Sequence, residues 1–325
     1  MLDDLKGKGI LIHHWDTDGI CAAKLLLERL KGKDIINKTP VLGNYFLTDQ
    51  EVESYSKYDY VIVADMSLTE DNINKLAETS QVLVFDHHLG KVYENAFHHN
   101  PVIKGENPDD YPSASWIVND YLGNDINLFA LLGIIGDHEQ KIKSNKRFTK
   151  IIDDFCKENN LTFEQLHRMA YLLDSNYKLG DKKIVEAAPH YLLENGSAED
   201  ILNNSEWNQN LTKLDDEMTK QLNVPDEEIN GILLKRINTP YNIISTITRK
   251  VAWGTGKNTV VVNSGFYPDM DQIYMRGNKN AEPIIMRGKS LGFKCGGKKE
   301  VLGAIVPKDK SEPFVQEILD FLKGD

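Results

Sequence analysis

Cysteine is scarce in this chain. The 325 residues hold three, Cys21, Cys156 and Cys295, widely separated. Such isolation excludes a disulfide framework and a zinc knuckle, and it fits a reducing compartment. Hydrophobic residues make up 41% of the sequence, yet no apolar run approaches the length of a membrane span. The opening "MLDDLKGKGILIHHW" lacks the charged, apolar and small-residue order of a signal peptide. A soluble, cytoplasmic protein without a membrane partner is the expectation. Internal repeats and low-complexity tracts are missing as well. So is excess positive charge: 38 Lys and Arg stand against 49 Asp and Glu, a net of −11. Taken whole, that balance argues against a general polyanion binder.

The deficit is uneven. Residues 225–325 carry 15 basic against 12 acidic residues, whereas the remaining 224 carry 23 against 37. Within 276–299 seven basic residues (Arg276, Lys279, Arg287, Lys289, Lys294, Lys298 and Lys299) meet one acidic residue, Glu282. An acidic body with one local basic stretch points to a focused anion site. The Gly296-Gly297 pair within it favours an anion cradle over an ordinary solvated face.

What is present begins with three short apolar runs, "GILIHHW", "YVIVADM" and "VLVFDHH", interleaved with the helical patterns "GICAAKLLLERL", "TEDNINKLAE" and "SASWIVNDYLG". Strands alternating with helices predict an open parallel α/β sheet, which binds ligands at the carboxyl ends of its strands. Each run exits in ionisable residues: His14, Asp16 and Asp18 after the first, Asp65 after the second, Asp86, His87 and His88 after the third. A fourth apolar stretch, "LFALLGIIGDHE", reads as a helix followed by Asp137. A buried strand gains nothing from carboxylates at its exit unless they meet a cation. A lone Asp there is most often a helix cap, but caps need no histidine partners. Carboxylates with imidazoles suit Mn²⁺, with Mg²⁺ as the harder alternative. Two such ions about 3.5–4 Å apart hold a bridging water and clamp a phosphate.

The length favours two domains. Residues 145–205 read as mostly helical, and "EWNQNLTKLDDEMTKQLN" as a connecting helix broken at Val224-Pro225-Asp226. Strands at "GILLKRIN", "NTVVVNSGF", "DQIYMRG" and "EVLGAIVP", a helix at "YNIISTITRKVAW" and a closing helix from Pro313 form a second α/β unit. The expected division is therefore 1–205, a connector over 206–224, and 225–325.

"HWDTDG", the Asp of "VIVADMS", "FDHH" and "GIIGDHE" resemble, in order and spacing, the four motifs of the DHH phosphoesterase superfamily in its archaeal RecJ-like branch. "QIYMRG" and "CGGKKEVLGA" resemble the anion-binding strand and the glycine-rich loop of the companion DHHA1 domain. The resemblance implies a bilobed protein, a parallel-sheet DHH domain plus a smaller α/β DHHA1 domain with an interdomain cleft. It implies two Mn²⁺ ions bridged by Asp65, one served by His14 and Asp16, the other by Asp18, His87 and Asp137. His88 would face the scissile phosphate and Asp86 would orient an imidazole. Arg276, Gly296, Gly297 and Lys298 would hold substrate. The implied activity is a Mn²⁺-dependent, single-strand-specific exonuclease of DNA or RNA, using hydroxide activated by the two metals. Single-stranded nucleic acid or a short oligonucleotide would be its partner, and a GINS-like replication protein a further one. Two departures stand out. Ile12 occupies the position where many small DHH nucleotidases carry their first His, and Lys298 stands where the DHHA1 loop usually has His.

Two rival readings remain open. One is a small-nucleotide phosphodiesterase acting on oligoribonucleotides, a cyclic dinucleotide or a bisphosphorylated nucleotide. The other is a Cdc45-like replication scaffold without catalysis. His13, His98, His99, His138 and Glu139 are read as structure or surface. Trp116, Trp207 and Trp253 are read as packing, and Trp15 as packing beneath the metals.

Overall fold

The computed structural model describes residues 1–298 and 300–323, apart from the side chain of Lys298. The phosphate-binding role expected of Lys298 thus falls on a side chain outside the described residues, as does all of Lys299. The chain divides into two compact units, residues 1–177 with 181–210, and residues 178–180 with 211–325. The division falls inside the helix Ser205–Leu222 rather than at either end of it. No described helix is long and apolar enough to cross a membrane.

The first unit is built on β1 (Lys8–His13), β2 (Asp34–Lys38), β3 (Tyr60–Ala64), β4 (Gln81–Phe85) and β5 (Phe97–His99), all parallel in the order β2-β1-β3-β4-β5. The central runs are apolar because helices cover both faces of a parallel sheet, and β3 is buried throughout. The register places His13, Ala64, Phe85 and His99 in one row across the sheet. Pairing continues one residue further: the His14 amide donates to the Ala64 carbonyl, that of Asp65 to Phe85, and that of Asp86 to His99. The ionisable exits of three strands are therefore level with one another, at the end of the sheet where ligands bind.

The helices are α1 (Thr17–Arg29), α2 (Asp49–Tyr55), α3 (Glu70–Ala77), α4 (Ala114–Leu122), α5 (Leu128–His138), α6 (Lys146–Asn159), α7 (Phe163–Lys178), α8 (Lys182–Glu194), α9 (Ala198–Leu202) and α10 (Ser205–Leu222). Asp137 lies in the last turn of α5, not after it. His98 and His99 sit on the edge strand β5: His98 is buried, accepts the Tyr93 amide at Nδ1 and stacks on the Tyr93 ring.

The second unit holds a six-stranded sheet in the order β10-β11-β9-β8-β7-β6, from β6 (Glu227–Ile229), β7 (Ile232–Ile237), β8 (Thr259–Asn263), β9 (Met270–Arg276), β10 (Lys294–Lys298) and β11 (Val301–Pro307). Only β7 and β8 pair in parallel. One face buries Val260, Ile273, Met275 and Leu302 against α12 (Glu282–Ser290) and α13 (Lys308–Lys323). The other packs Leu233, Val261 and Tyr274 against α11 (Ile244–Thr255). Two expectations are corrected here. Gly296 and Gly297 belong to a strand, β10, paired antiparallel with β11, and not to a loop. The closing helix starts at Lys308, with Pro313 inside it.

Candidate metal centre

Each side chain of the site is fixed by the element that carries it. His14 leaves β1. Asp16 caps α1 by accepting the Gly19 amide at 3.2 Å. At Gly19 a Cβ would lie 2.6 Å from the His14 Cβ and against its backbone, so only glycine lets the chain turn this tightly. Asp18, inside the first turn of α1, is fully buried, and its two oxygens accept the Ala114 amide at 2.6 Å and the Ser115 amide at 2.9 Å. It thereby serves the orphan donors at the start of α4, where a negative charge is favoured. Asp65 leaves β3 with φ +60, a conformation uncommon outside glycine that costs free energy and clusters at functional sites.

These residues converge. His14 Nδ1 lies 2.7 Å from Asp16 Oδ2 and 3.6 Å from Asp65 Oδ2. His87 Nε2 lies 3.5 Å from Asp65 Oδ1 and 3.2 Å from Asp137 Oδ2. Three groups bring ligand atoms within 4.8 Å of one another: His14, Asp16 and Asp65; Asp18, His87 and Asp137; Asp65, His87 and His88. Asp65 belongs to two of them, one oxygen towards each side. His88 Nδ1 donates to Asp86 Oδ1 at 2.7 Å.

The electrostatics follow from crowding. Burial, then the charges of Asp18, Asp16, Asp137 and Asp86, push the Asp65 carboxyl well above the usual carboxylate range. Burial opposes ionisation of Asp16 too, but the His14 imidazole and the Gly19 amide outweigh it and hold its carboxyl low. Burial and the neighbouring His88 lower His87 to about 4. Burial alone would lower His88, yet the hydrogen bond and charge of Asp86 raise it. A cluster that its own charges destabilise fits a cation. The donor set is right for one: oxygens with neutral imidazoles. His14 Nε2 is buried without a hydrogen-bond partner, a costly state unless a ligand meets it, and His87 Nε2 meets only carboxylate oxygens, at 3.2 and 3.5 Å.

The two histidines of "HHWD" separate cleanly. His13 is fully buried, its Nδ1 2.7 Å from the His14 carbonyl and its Nε2 3.2 Å from the Asn37 amide. Burial lowers it to about 4, so the neutral ring donates at one nitrogen and accepts at the other. Trp15 is buried, its ring 4.2 Å from that of His14. Arg276 ends β9, and Gly296 and Gly297 lie on β10, all in the second unit. His138 Nε2 meets the Pro112 carbonyl at 2.9 Å, and Glu139 accepts from the Tyr171 hydroxyl at 3.1 Å.

Two residues near the site lay outside the sequence reading. Tyr45 is 61% exposed and stacks on the His14 ring at 5.7 Å. Asp174, on α7, accepts both the amide and the hydroxyl of Thr17, at 3.0 and 2.7 Å, and so pins the loop between Asp16 and Asp18. A lone aromatic in a loop and a carboxylate in a distant helix give no local signal.

No family model matches the sequence, and no curated protein matches it. Solved structures are similar in fold. RecJ from Thermus thermophilus in complex with Mn²⁺ matches with a TM-score of 0.73 at 17% identity, over 97% of this chain and 52% of that one. The chain thus spans about half the length of that protein. The DHH domain of a protein described as a member of a ribosomal-protein family matches with a TM-score of 0.66 at 18% identity, over 98% and 88% of the two chains. The pGpG-specific phosphodiesterase PggH from Vibrio cholerae matches with 0.55 at 14%, over 97% and 98%. CDC45 from Entamoeba histolytica matches with 0.59 at 9%, over 98% and 96%. With its five-stranded parallel sheet and its six-stranded second unit, the chain shares its fold with RecJ and with that DHH domain.

Proposed function

We propose that this protein is a metal-dependent phosphodiesterase that hydrolyses single-stranded DNA or RNA from an end. The observation that carries the reading is Asp65, buried between two ligand sets with one oxygen 3.6 Å from His14 and the other 3.5 Å from His87. In this reading His14 and Asp16 would hold one Mn²⁺, and Asp18, His87 and Asp137 the other, with Asp65 within reach of both sets and Mg²⁺ as a substitute. Such ions supply a water of lowered pKa and neutralise charge on the phosphate.

The protein's own groups do the rest. Asp86, 2.7 Å from His88 Nδ1, fixes that nitrogen as a donor and favours the charged ring. His88 then presents its Nε2–H to a phosphate oxygen as negative charge develops there. The amides of Ala114 and Ser115 hold the Asp18 carboxylate in one orientation, and Asp174 does the same for the Asp16–Asp18 loop through Thr17. Arg276, Gly296 and Gly297 are offered as substrate contacts by resemblance alone; Lys298, expected with them, has its side chain outside the described residues.

A second reading, a small-nucleotide phosphodiesterase, is favoured by two observations. PggH matches this chain almost end to end, and the net charge of −11 opposes binding of long polyanions away from the basic stretch. Turnover of a single-stranded 20-mer and of a dinucleotide in Mn²⁺, compared at equal concentration, tests the choice. Faster hydrolysis of the 20-mer is expected. Much faster cleavage of the dinucleotide would replace the first reading by the second. Hydrolysis of neither, with no Mn²⁺ bound at saturation, would replace both by a scaffold role.

A further inference from the structure

Three of the four tryptophans are buried: Trp15, Trp116 and Trp207 are 4%, 8% and 3% exposed. Trp253 is 56% exposed, in the last turn of α11. Trp253, read as core or connector packing, is thus not part of a buried core. Its neighbours are cationic. The Arg276 guanidinium carbon lies 5.3 Å from the centre of the Trp253 ring, and that of Arg249, one turn earlier on the same helix, lies 5.9 Å from it. Arg276 has no ion-pair partner among the described residues, and its Nε is buried without a hydrogen-bond partner.

Among the described residues, two glycines open the sheet beside this pair. Alternation along β9 sends Ile273 and Met275 into the core against α12 and α13, and Tyr274 and Arg276 to the α11 face. Across the ladder, Gly303 of β11 opposes Tyr274, and Gly296 of β10 opposes Gly303. A Cβ at Gly296 would meet nothing within 4 Å, and one at Gly303 would meet only the Tyr274 ring, at 3.5 Å, apart from backbone. An open glycine floor thus runs beside a half-buried ring and an arginine, with an exposed indole at its edge.

We propose that Trp253 is a stacking platform for a nucleobase, with Arg249 and Arg276 as the donors to that nucleotide's phosphate. The inference rests on the phosphodiesterase reading for its choice of ligand and adds a base contact to it. Indole faces stack every base, so the platform would be tolerant of sequence. Guanidinium groups suit both halves of the ligand, since they pair with phosphate in a fork and lie flat on rings. A purely internal cation–π pair would leave Arg276 Nε and the glycine floor without a purpose.

The test is binding to the full chain in EDTA, so that no hydrolysis intervenes. Tryptophan fluorescence is titrated with adenosine monophosphate, adenosine and inorganic phosphate, because Trp253 is the exposed indole. Saturable quenching by adenosine monophosphate, at least about tenfold tighter than by adenosine or phosphate, is expected. A fluorescein-labelled strand followed by anisotropy should bind Trp253→Ala about tenfold more weakly than the parent, and Trp253→Phe should recover most of that loss. Quenching by phosphate as strong as by the nucleotide, or undiminished strand binding by Trp253→Ala, would overturn the platform. Dinucleotide turnover in Mn²⁺ is measured separately. Hydrolysis with an unaltered Trp253→Ala sinks the platform alone, whereas nucleotide binding without any hydrolysis sinks the phosphodiesterase reading alone.

Discussion

In the metal-free protein, Asp65→Asn is expected to raise stability, the reverse of what most substitutions at buried positions do. Asp65 is 2% exposed and sits among Asp16, Asp18, Asp86 and Asp137. Burial and those four charges raise its carboxyl well above the ordinary value, so the folded state holds its proton more tightly than the unfolded chain does. For a carboxylic acid with a raised pKa the sign is clear. The group costs nothing below the ordinary carboxylate value. As pH rises from there to the folded-state value, stability is lost at about 1.4 kcal/mol per unit, and above the folded value the loss is complete. Asparagine keeps the shape and removes the loss. Each unit of elevation is worth about 1.4 kcal/mol, and about 1 kcal/mol shifts the melting temperature by roughly 2–4 °C in a domain near this size. Thermal melts in EDTA at pH 7.5 should therefore show Asp65→Asn melting higher than the parent by at least about 3 °C. Saturating Mn²⁺ should reverse the order. A ligand at 100 times its Kd adds about 2.7 kcal/mol to the parent, and the variant has lost the shared ligand. Hydrolytic activity should vanish in the same variant. A lower melting temperature for Asp65→Asn in EDTA, or equal stabilisation of both proteins by Mn²⁺, would refute the reasoning.

Two further predictions concern groups that are not themselves proposed metal ligands. Thr17→Val removes the hydroxyl whose one proton is shared between Asp174 Oδ1 at 2.7 Å and the Ala170 carbonyl at 2.8 Å; a loss of about 1–2 kcal/mol is expected in urea unfolding, and an unchanged midpoint would show that α7 does not brace the loop. The Cys295 thiol is pushed up to about 11 by burial, so at pH 8 only about one molecule in a thousand carries the thiolate. Iodoacetamide labelling of the Cys295 peptide, followed by mass spectrometry, should rise about tenfold per pH unit from pH 8 to 10, and a plateau near pH 9 would contradict the burial effect.

Local patterns carried much of the architecture, and their limits have physical causes. The exits of β1, β3 and β4 were legible because buried parallel strands are uniformly apolar, so His14, Asp65 and Asp86 interrupt a rule. That they stand level was not legible, because register depends on which residues pair across strands. Asp18 shows the same boundary. Its neighbours suggest a cap, but the amides it satisfies belong to Ala114 and Ser115, nearly a hundred residues on. Gly296 and Gly297 hid β10, because glycine is poor in strands and the pairing energy comes from β11. Pro313 hid the start of α13, since a helix usually begins at a proline rather than containing one.

Trp253 is the instructive miss, because position and residue type disagreed there. Along α11, Ile244, Ile247, Thr248 and Val251 follow the helical period and are buried. Trp253 lies nine residues after Ile244, half a turn out of phase with that face, at 100° per residue. Type alone puts a tryptophan inside; phase puts this one in water, and the structure follows phase. A large aromatic side chain held in solvent by its own helix forgoes burial worth about 1.5–3 kcal/mol. Such a position is occupied at a cost that a ligand can offset, which is the condition a nucleobase stacked on Trp253 between Arg249 and Arg276 would meet.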